Sequence, residues 1–210
     1  MDQCSTPEAA WNAYDAGNCE LAAQIWQDLL QQPLNLSDQN RYQLNYAHAL
    51  IALKRHSQAM LILQELYNRT GSPRHLRLLG RIARNAGRLN KAERLLLAEQ
   101  EHLDASDDLG LAANAYELSL TAWIKDDLIK ALGYAETSVS YAVQADDPTS
   151  LAMAHRLKAD LLVALNRIVE ARSQYLLAQR TFSLVNDLTA LEELDRVMAE
   201  LERHPIIQRV

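Results

Sequence analysis

Five alanines set the frame of this chain: Ala22, Ala59, Ala92, Ala131 and Ala171 stand 37, 33, 39 and 40 residues apart. Twelve residues before each stands another small residue, namely Ala10, Ala47, Gly80, Ser119 and Ala159. Five residues before each stand Gly17, Lys54, Gly87, Asp126 and Asn166, four of them types that tolerate tight turns. Four residues after come Trp26, Leu63, Leu96, Ala135 and Tyr175, mostly large and apolar. Helix-hairpin packing explains this pattern. Two antiparallel helices approach closely only where small side chains meet, and a larger residue one turn later fills the space beside the crossing. The turn between them needs residues that accept a left-handed or capping conformation. A period of this length is the signature of stacked supersecondary units.

Composition agrees with long helices. Leu and Ala dominate, and 6 Gly and 5 Pro leave few interruptions in 210 residues; summed over long windows this favours helix over strand. The pattern predicts helix pairs over 7–15 and 19–31, 39–53 and 56–69, 73–86 and 89–103, 109–125 and 128–145, and 149–165 and 168–185. Residues 33–38 read as the first connector between pairs. Gly71 and Pro73 mark the second, Gly stopping one helix and Pro suiting the start of the next. The last segment, 187–203, has Leu191, Leu194, Met198 and Leu201 at helical spacing with acids outward, as a terminal capping helix requires. Beyond Pro205 a short apolar tail, 204–210, reads as a loosely packed end, with docking on another molecule as the alternative.

These residues resemble the tetratricopeptide repeat family, whose pattern has a small residue at its eighth place, Gly or a polar residue at the fifteenth, Ala at the twentieth and an aromatic at the twenty-fourth. Segments 3–36 and 73–106 match best, through Ala10, Gly17, Ala22 and Trp26, then Gly80, Gly87, Ala92 and Leu96. The segment around Ala59 departs at Lys54 and Leu63. The later segments open with Asp107-Asp108-Leu109, Asp146-Asp147-Pro148 and Asn186-Asp187-Leu188 and are similar to the longer variant found in bacterial regulators and scaffolds. The resemblance implies an all-α fold: a right-handed α-solenoid of about five hairpins plus a C-terminal capping helix. It implies one domain over 1–210, with classical-length repeats over 3–106, longer repeats and the capping helix over 107–203, and the tail after them.

Little in the sequence offers catalysis. The six histidines, His48, His56, His75, His102, His155 and His204, fall in separate segments, none beside a nucleophile at a useful spacing. There is no glycine-rich phosphate loop and no His-Glu-x-x-His. Cys4 and Cys19 are the only cysteines, and they read as free thiols with no zinc-type spacing. A non-enzyme without cofactor or metal is expected. The start, Met1 to Pro7, carries an acid and no apolar run, unlike a secretory signal. No stretch approaches the about 18 apolar residues of a membrane span, so a cytoplasmic protein without membrane insertion is expected.

Charge is more informative. The chain carries a net charge of −6, yet residues 69–94 hold eight Lys/Arg against the single acid Glu93, a block of +7 in a remainder of −13. Within it Arg74, Arg77, Arg81 and Arg84 fall in an arc of about 80° on one helix, with Leu76, Leu79, Gly80 and Ala83 opposite as core. No Asp or Glu stands three or four residues from any of these arginines. The resemblance implies that the first helix of each pair lines a concave groove, which places Arg74, Arg77, Arg81 and Arg84 in it. It also places there Asn45, at a position where an Asn often grips a peptide backbone, and His48 beside it. From the fourth repeat it adds Tyr116, Leu120 and Trp123.

Guanidinium forks beside an apolar wall suit a carboxylate-bearing segment with an anchor side chain. Two readings stay open at this point: the arginines as a solvated face or as partners of acids such as Asp107 or Asp108, and the aromatics as packing residues. The expected function is a non-enzymatic protein-interaction module (adaptor, co-chaperone or assembly factor) binding an acidic or C-terminal peptide segment in its groove. A regulatory domain sensing a peptide or small ligand is the alternative. The expected partner is another protein or peptide, acidic in character, with a homodimer among the assemblies allowed. Nucleic acid is disfavoured by the net charge, because such affinity rests largely on phosphate neutralisation.

Overall fold

The computed structural model describes residues 5–203. Among them are eleven α-helices and no strand: α1 (Pro7–Asp15), α2 (Cys19–Leu30), α3 (Leu36–Ala52), α4 (His56–Thr70), α5 (Arg74–Asn85), α6 (Leu89–His102), α7 (Asp108–Ile124), α8 (Leu128–Gln144), α9 (Pro148–Ala164), α10 (Ile168–Leu184) and α11 (Leu188–Glu202). The predicted hairpins are all present. Cys4, His204 and the 204–210 tail lie outside the described residues.

The small-residue frame does what hairpin packing demands. Ala10, Ala47, Gly80, Ser119 and Ala159 are all buried, as are the five anchor alanines and the larger residues one turn after them. At the α7–α8 crossing the small residue adds a bond of its own, since the Ser119 hydroxyl donates to the Ala131 carbonyl at 2.8 Å. Ser138 returns the contact to the Ala112 carbonyl at 2.9 Å. Each hairpin turn holds one residue in the left-handed region: Gly17 (φ 78°), Lys54 (φ 59°), Gly87 (φ 72°), Asp126 (φ 65°) and Asn166 (φ 59°). Lys54, the residue that fits the turn pattern least well, thus adopts the same conformation as the glycines.

Helix starts are set by short polar caps. Asn35 Oδ1 accepts from the Asp38 amide at 2.9 Å, and α3 therefore begins at Leu36. The connector expected over 33–38 is shorter than its sequence suggested, because a side-chain acceptor at Asn35 satisfies an amide of the first turn and lets the helix start early. In the long repeats Asp107, Asp127, Asp147 and Asp187 cap α7, α8, α9 and α11 in the same way. Pro73 precedes α5 as its cap residue, without a side-chain hydrogen bond.

The chain divides into two compact units, residues 1–95 and 96–210, with the boundary inside α6. In the first unit α1 to α5 pack in series, each on the next. Trp26 and Tyr42 anchor one cluster, with Trp11 meeting Trp26 edge-on at 5.8 Å. Leu50, Leu63, Leu66, Leu79 and Ile82 form another. In the second unit α7 to α11 pack in series and α7 also touches α9. One continuous core runs from Ala122 through Tyr175 and Phe182 to α11, which buries Ala190, Leu194, Met198 and Leu201 as a capping helix should. Leu191 differs from expectation: it lies half-buried at the edge of that core. No helix among the described residues is long and apolar enough to cross a membrane.

Candidate functional site

In the N-terminal unit, α5 is built as the sequence pattern required. His75, Leu76, Leu78, Leu79, Gly80, Ile82 and Ala83 are buried, leaving Arg74 exposed and Arg77, Arg81 and Arg84 half-buried. The buried arc is wider than the four core positions read from the pattern. It takes in His75, whose ring Nδ1 meets the Thr70 hydroxyl at 3.2 Å and whose pKa is lowered by burial.

The structure brings His48 of α3 together with two of these arginines. Its pKa falls to about 4, first because the ring is desolvated and then because the Arg81 and Arg77 guanidiniums oppose a third positive charge. At neutral pH His48 is therefore an uncharged ring beside two cations. Arg74, Arg77 and Arg84 all have interaction partners within the fold. Arg81 is different: its Nε is buried and has no hydrogen-bond partner. A buried N–H without an acceptor is costly unless something supplies one. Asn45, one turn before His48, is only 9% exposed, so it lies at the base of this face. Elsewhere in the basic block, Arg69 is paired with Gln43 and Glu65.

In the C-terminal unit, Tyr116, Leu120 and Trp123 follow one another along one side of α7. All three are half-buried and pack against the core of this unit. They therefore serve as packing residues and still show part of their surface.

Two polar pairings of this unit escaped the sequence reading. Glu99 is fully buried and accepts at 2.8 Å from the Asn114 amide, which also donates to the Leu96 carbonyl. Asp160 accepts from the Tyr175 hydroxyl; burial raises the carboxyl's pKa against the pull of that bond and of Arg156. The Tyr175 hydroxyl is raised as well, by burial and by the carboxylate it faces. Arg156 itself pairs with Glu193 at 2.8 Å. The Tyr175–Asp160 bond spans 15 residues, and nothing local in the sequence announces it. Among the described residues no group of three or more His, Cys, Asp and Glu is placed to hold a metal ion.

No protein-family model and no curated protein sequence matches this chain. Its fold does match solved structures. The Rap conjugation gene regulator of the plasmid pLS20, in complex with the Phr* peptide, superposes with a TM-score of 0.81 at 18% identity, covering 96% of this chain and 59% of that one. PlcR of Bacillus thuringiensis, in complex with the peptide PapR7 and DNA, gives a TM-score of 0.75 at 13% identity, covering 94% and 72%. TPR-like repeats of a putative kinesin light chain from Podosopora anserina give 0.59 at 17% identity, covering 89% and 100%. This chain thus spans about three fifths of the Rap regulator and under three quarters of PlcR. Its fold is that of the tetratricopeptide-type helical-repeat proteins.

Proposed function

We propose that this chain is a non-enzymatic peptide-binding module that holds an acidic or C-terminal protein segment on the first-helix face of its N-terminal unit. The observation that carries the reading is the cluster of His48, Arg77 and Arg81: two guanidiniums beside a neutral imidazole, with the Arg81 Nε buried and lacking an acceptor. The Arg81 Nε there still needs an acceptor, and a carboxylate is the group that best matches a guanidinium fork. Arg74 and Arg84 extend the positive face along α5, and Asn45 offers an amide at its base. The half-exposed strip of Tyr116, Leu120 and Trp123 on the C-terminal unit is a second contact surface, suited to an apolar anchor side chain. Two proteins of this fold, PlcR and the Rap regulator, are solved with peptides bound. That likeness supports peptide binding here and favours a regulatory role over a purely scaffolding one.

The test is one double variant read two ways. Arg77→Ala with Arg81→Ala should weaken binding of an acidic-tailed peptide by more than about 1 kcal/mol while the melting midpoint stays near wild type. A lowered midpoint with binding intact would mean that the arginines serve the fold, and the proposal would fall.

A further inference from the structure

The second helices of the N-terminal unit carry a cleft that the reading above does not use. Near the starts of α4 and α6 the surface opens into a cavity of about 440 Å³. Met60, Leu79 and Leu95 line it, and Leu61 stands at its edge, 73% exposed. His56, Arg88 and Lys91 also line it, with Ser57, Gln64 and Ala86. Lys91 and Leu95 continue into an adjoining hollow that also includes Arg94. On α5, Leu79 stands about 200° from both Arg77 and Arg81 at 100° per residue, so this cleft and the His48 cluster lie on opposite sides of that helix.

Two features of the cleft are unresolved within the fold. Among the described residues, neither Arg88 nor Lys91 forms an ion pair, and the Arg94 side chain donates only to the Asn90 carbonyl of its own helix. Yet the chain holds 27 Asp and Glu, and arginines elsewhere find them, as Arg55 does with Glu20 and Arg167 with Glu170. The His56 Nδ1 is likewise buried with no hydrogen-bond partner. The cleft therefore combines an apolar lining, cations without carboxylates and a ring nitrogen without a partner.

We infer that this cleft docks an acidic amphipathic helical segment of a partner protein, which inserts aliphatic side chains among Met60, Leu61, Leu79 and Leu95 and sets its carboxylates against Arg88, Lys91 and Arg94. Charge complementarity selects this occupant: the cations call for acids, and the apolar lining calls for leucine-like side chains on the same helix face. A small amphiphile would need a more enclosing site. Nucleic acid would need a broad stacking platform, and no Phe, Tyr or Trp lines the cleft. The site is separate from the first-helix face, so one chain can hold two different segments at once.

The probe is a fluorescent amphipathic peptide of about four helical turns, with leucines on one face and glutamates on the other, titrated into the full chain. A peptide with lysine in place of each glutamate is the control. The glutamate peptide should bind and the lysine peptide should not. Arg88→Glu with Lys91→Glu should weaken binding about tenfold or more, and Leu61→Gln, at an exposed position that the fold does not need, should weaken it by about threefold. Arg77→Ala with Arg81→Ala, which removes the first-helix site for acidic segments, should leave the part of the binding that depends on Arg88, Lys91 and Leu61 in place. Binding unaffected by the Arg88/Lys91 and Leu61 changes overturns the inference. So does binding lost only with Arg77 and Arg81, a result that would still support the first-helix site. Two further outcomes also overturn it: a single-stranded oligonucleotide that binds through Arg88 and Lys91, or a protein whose own oligomeric mass falls in the Arg88/Lys91 variant, which would make a second copy the occupant.

Discussion

His48 shows how much one residue's surroundings decide. Its sequence position marks it only as a neighbour of Asn45 on a helix, and a lone histidine says nothing about its charge. Burial and the approach of Arg81 and Arg77 hold it neutral until the pH falls to about 4. The unfolded chain takes up this proton near pH 6.5 and the folded one only near pH 4, so between those values the unfolded state binds more protons. Stability therefore falls as the pH is lowered through that window and is regained above it. His48→Gln should remove this contribution, on the order of 2–3 kcal/mol at pH 4 relative to pH 7. Chemical denaturation at the two pH values, wild type against variant, measures it. An unchanged pH dependence would show that the ring is more solvated than its position indicates. His75 and His155 are also lowered by burial, so the variant should reduce the acid sensitivity without abolishing it.

At the level of elements, the terminal helix makes the sharpest demand. α11 buries Ala190, Leu194, Met198 and Leu201 against a core that includes Tyr175 and Phe182, while Asp187 caps its first turn. A chain truncated before Asp187 leaves the outer side of α10 bare. Stacked helical repeats need a polar-faced terminal element for solubility, and an exposed apolar face of this size drives association. The truncated protein should self-associate on size-exclusion chromatography and melt at a lower temperature than the full chain. A monomeric, equally stable truncation would mean that α11 is dispensable to the unit. The turns illustrate the limit of pattern reading at this scale. Lys54 looks wrong for a hairpin turn, yet it sits at φ 59°, in the same left-handed region as the glycines of the other turns, and the packing of α3 on α4 offsets the modest cost of that conformation.

Across the whole molecule the charge is divided. Residues 1–95 hold eleven Lys/Arg against eight Asp/Glu, a net +3, while residues 96–210 hold ten against nineteen, a net −9. An acidic ligand should therefore be drawn to the first unit, and its association should weaken with salt more steeply than an apolar contact would. Raising ionic strength from about 0.1 M to about 1 M shortens the screening length from about 10 Å to about 3 Å. Over that range the affinity for an acidic-tailed peptide should drop several-fold through a slower association rate. Stopped-flow rates that do not change with salt would separate binding from the arginine face. The fold match reaches both units, with the Rap regulator covering 96% of the chain, although the identities are too low to carry more than the fold.

The sequence by itself determined the hairpins. Small residues at a crossing, turn-tolerant residues between helices and apolar residues one turn on are local requirements, and each is met within about forty residues of chain. That is why the helix boundaries were legible to within a few positions, apart from the start of α3, where the Asn35 cap admitted one more turn. The sequence also marked the arginine stripe, because its spacing is a property of one helix. Tertiary structure decided what that stripe meets. It brought His48 from α3 to Arg77 and Arg81, left the Arg81 Nε buried without an acceptor, and half-buried Tyr116, Leu120 and Trp123 against a core. It also opened the cleft between α4 and α6, whose apolar floor comes from three helices. Pattern fixes which way a side chain leaves its own helix, whereas burial and partners depend on how separate helices pack, and those contacts join residues too far apart in the chain for any local period to record.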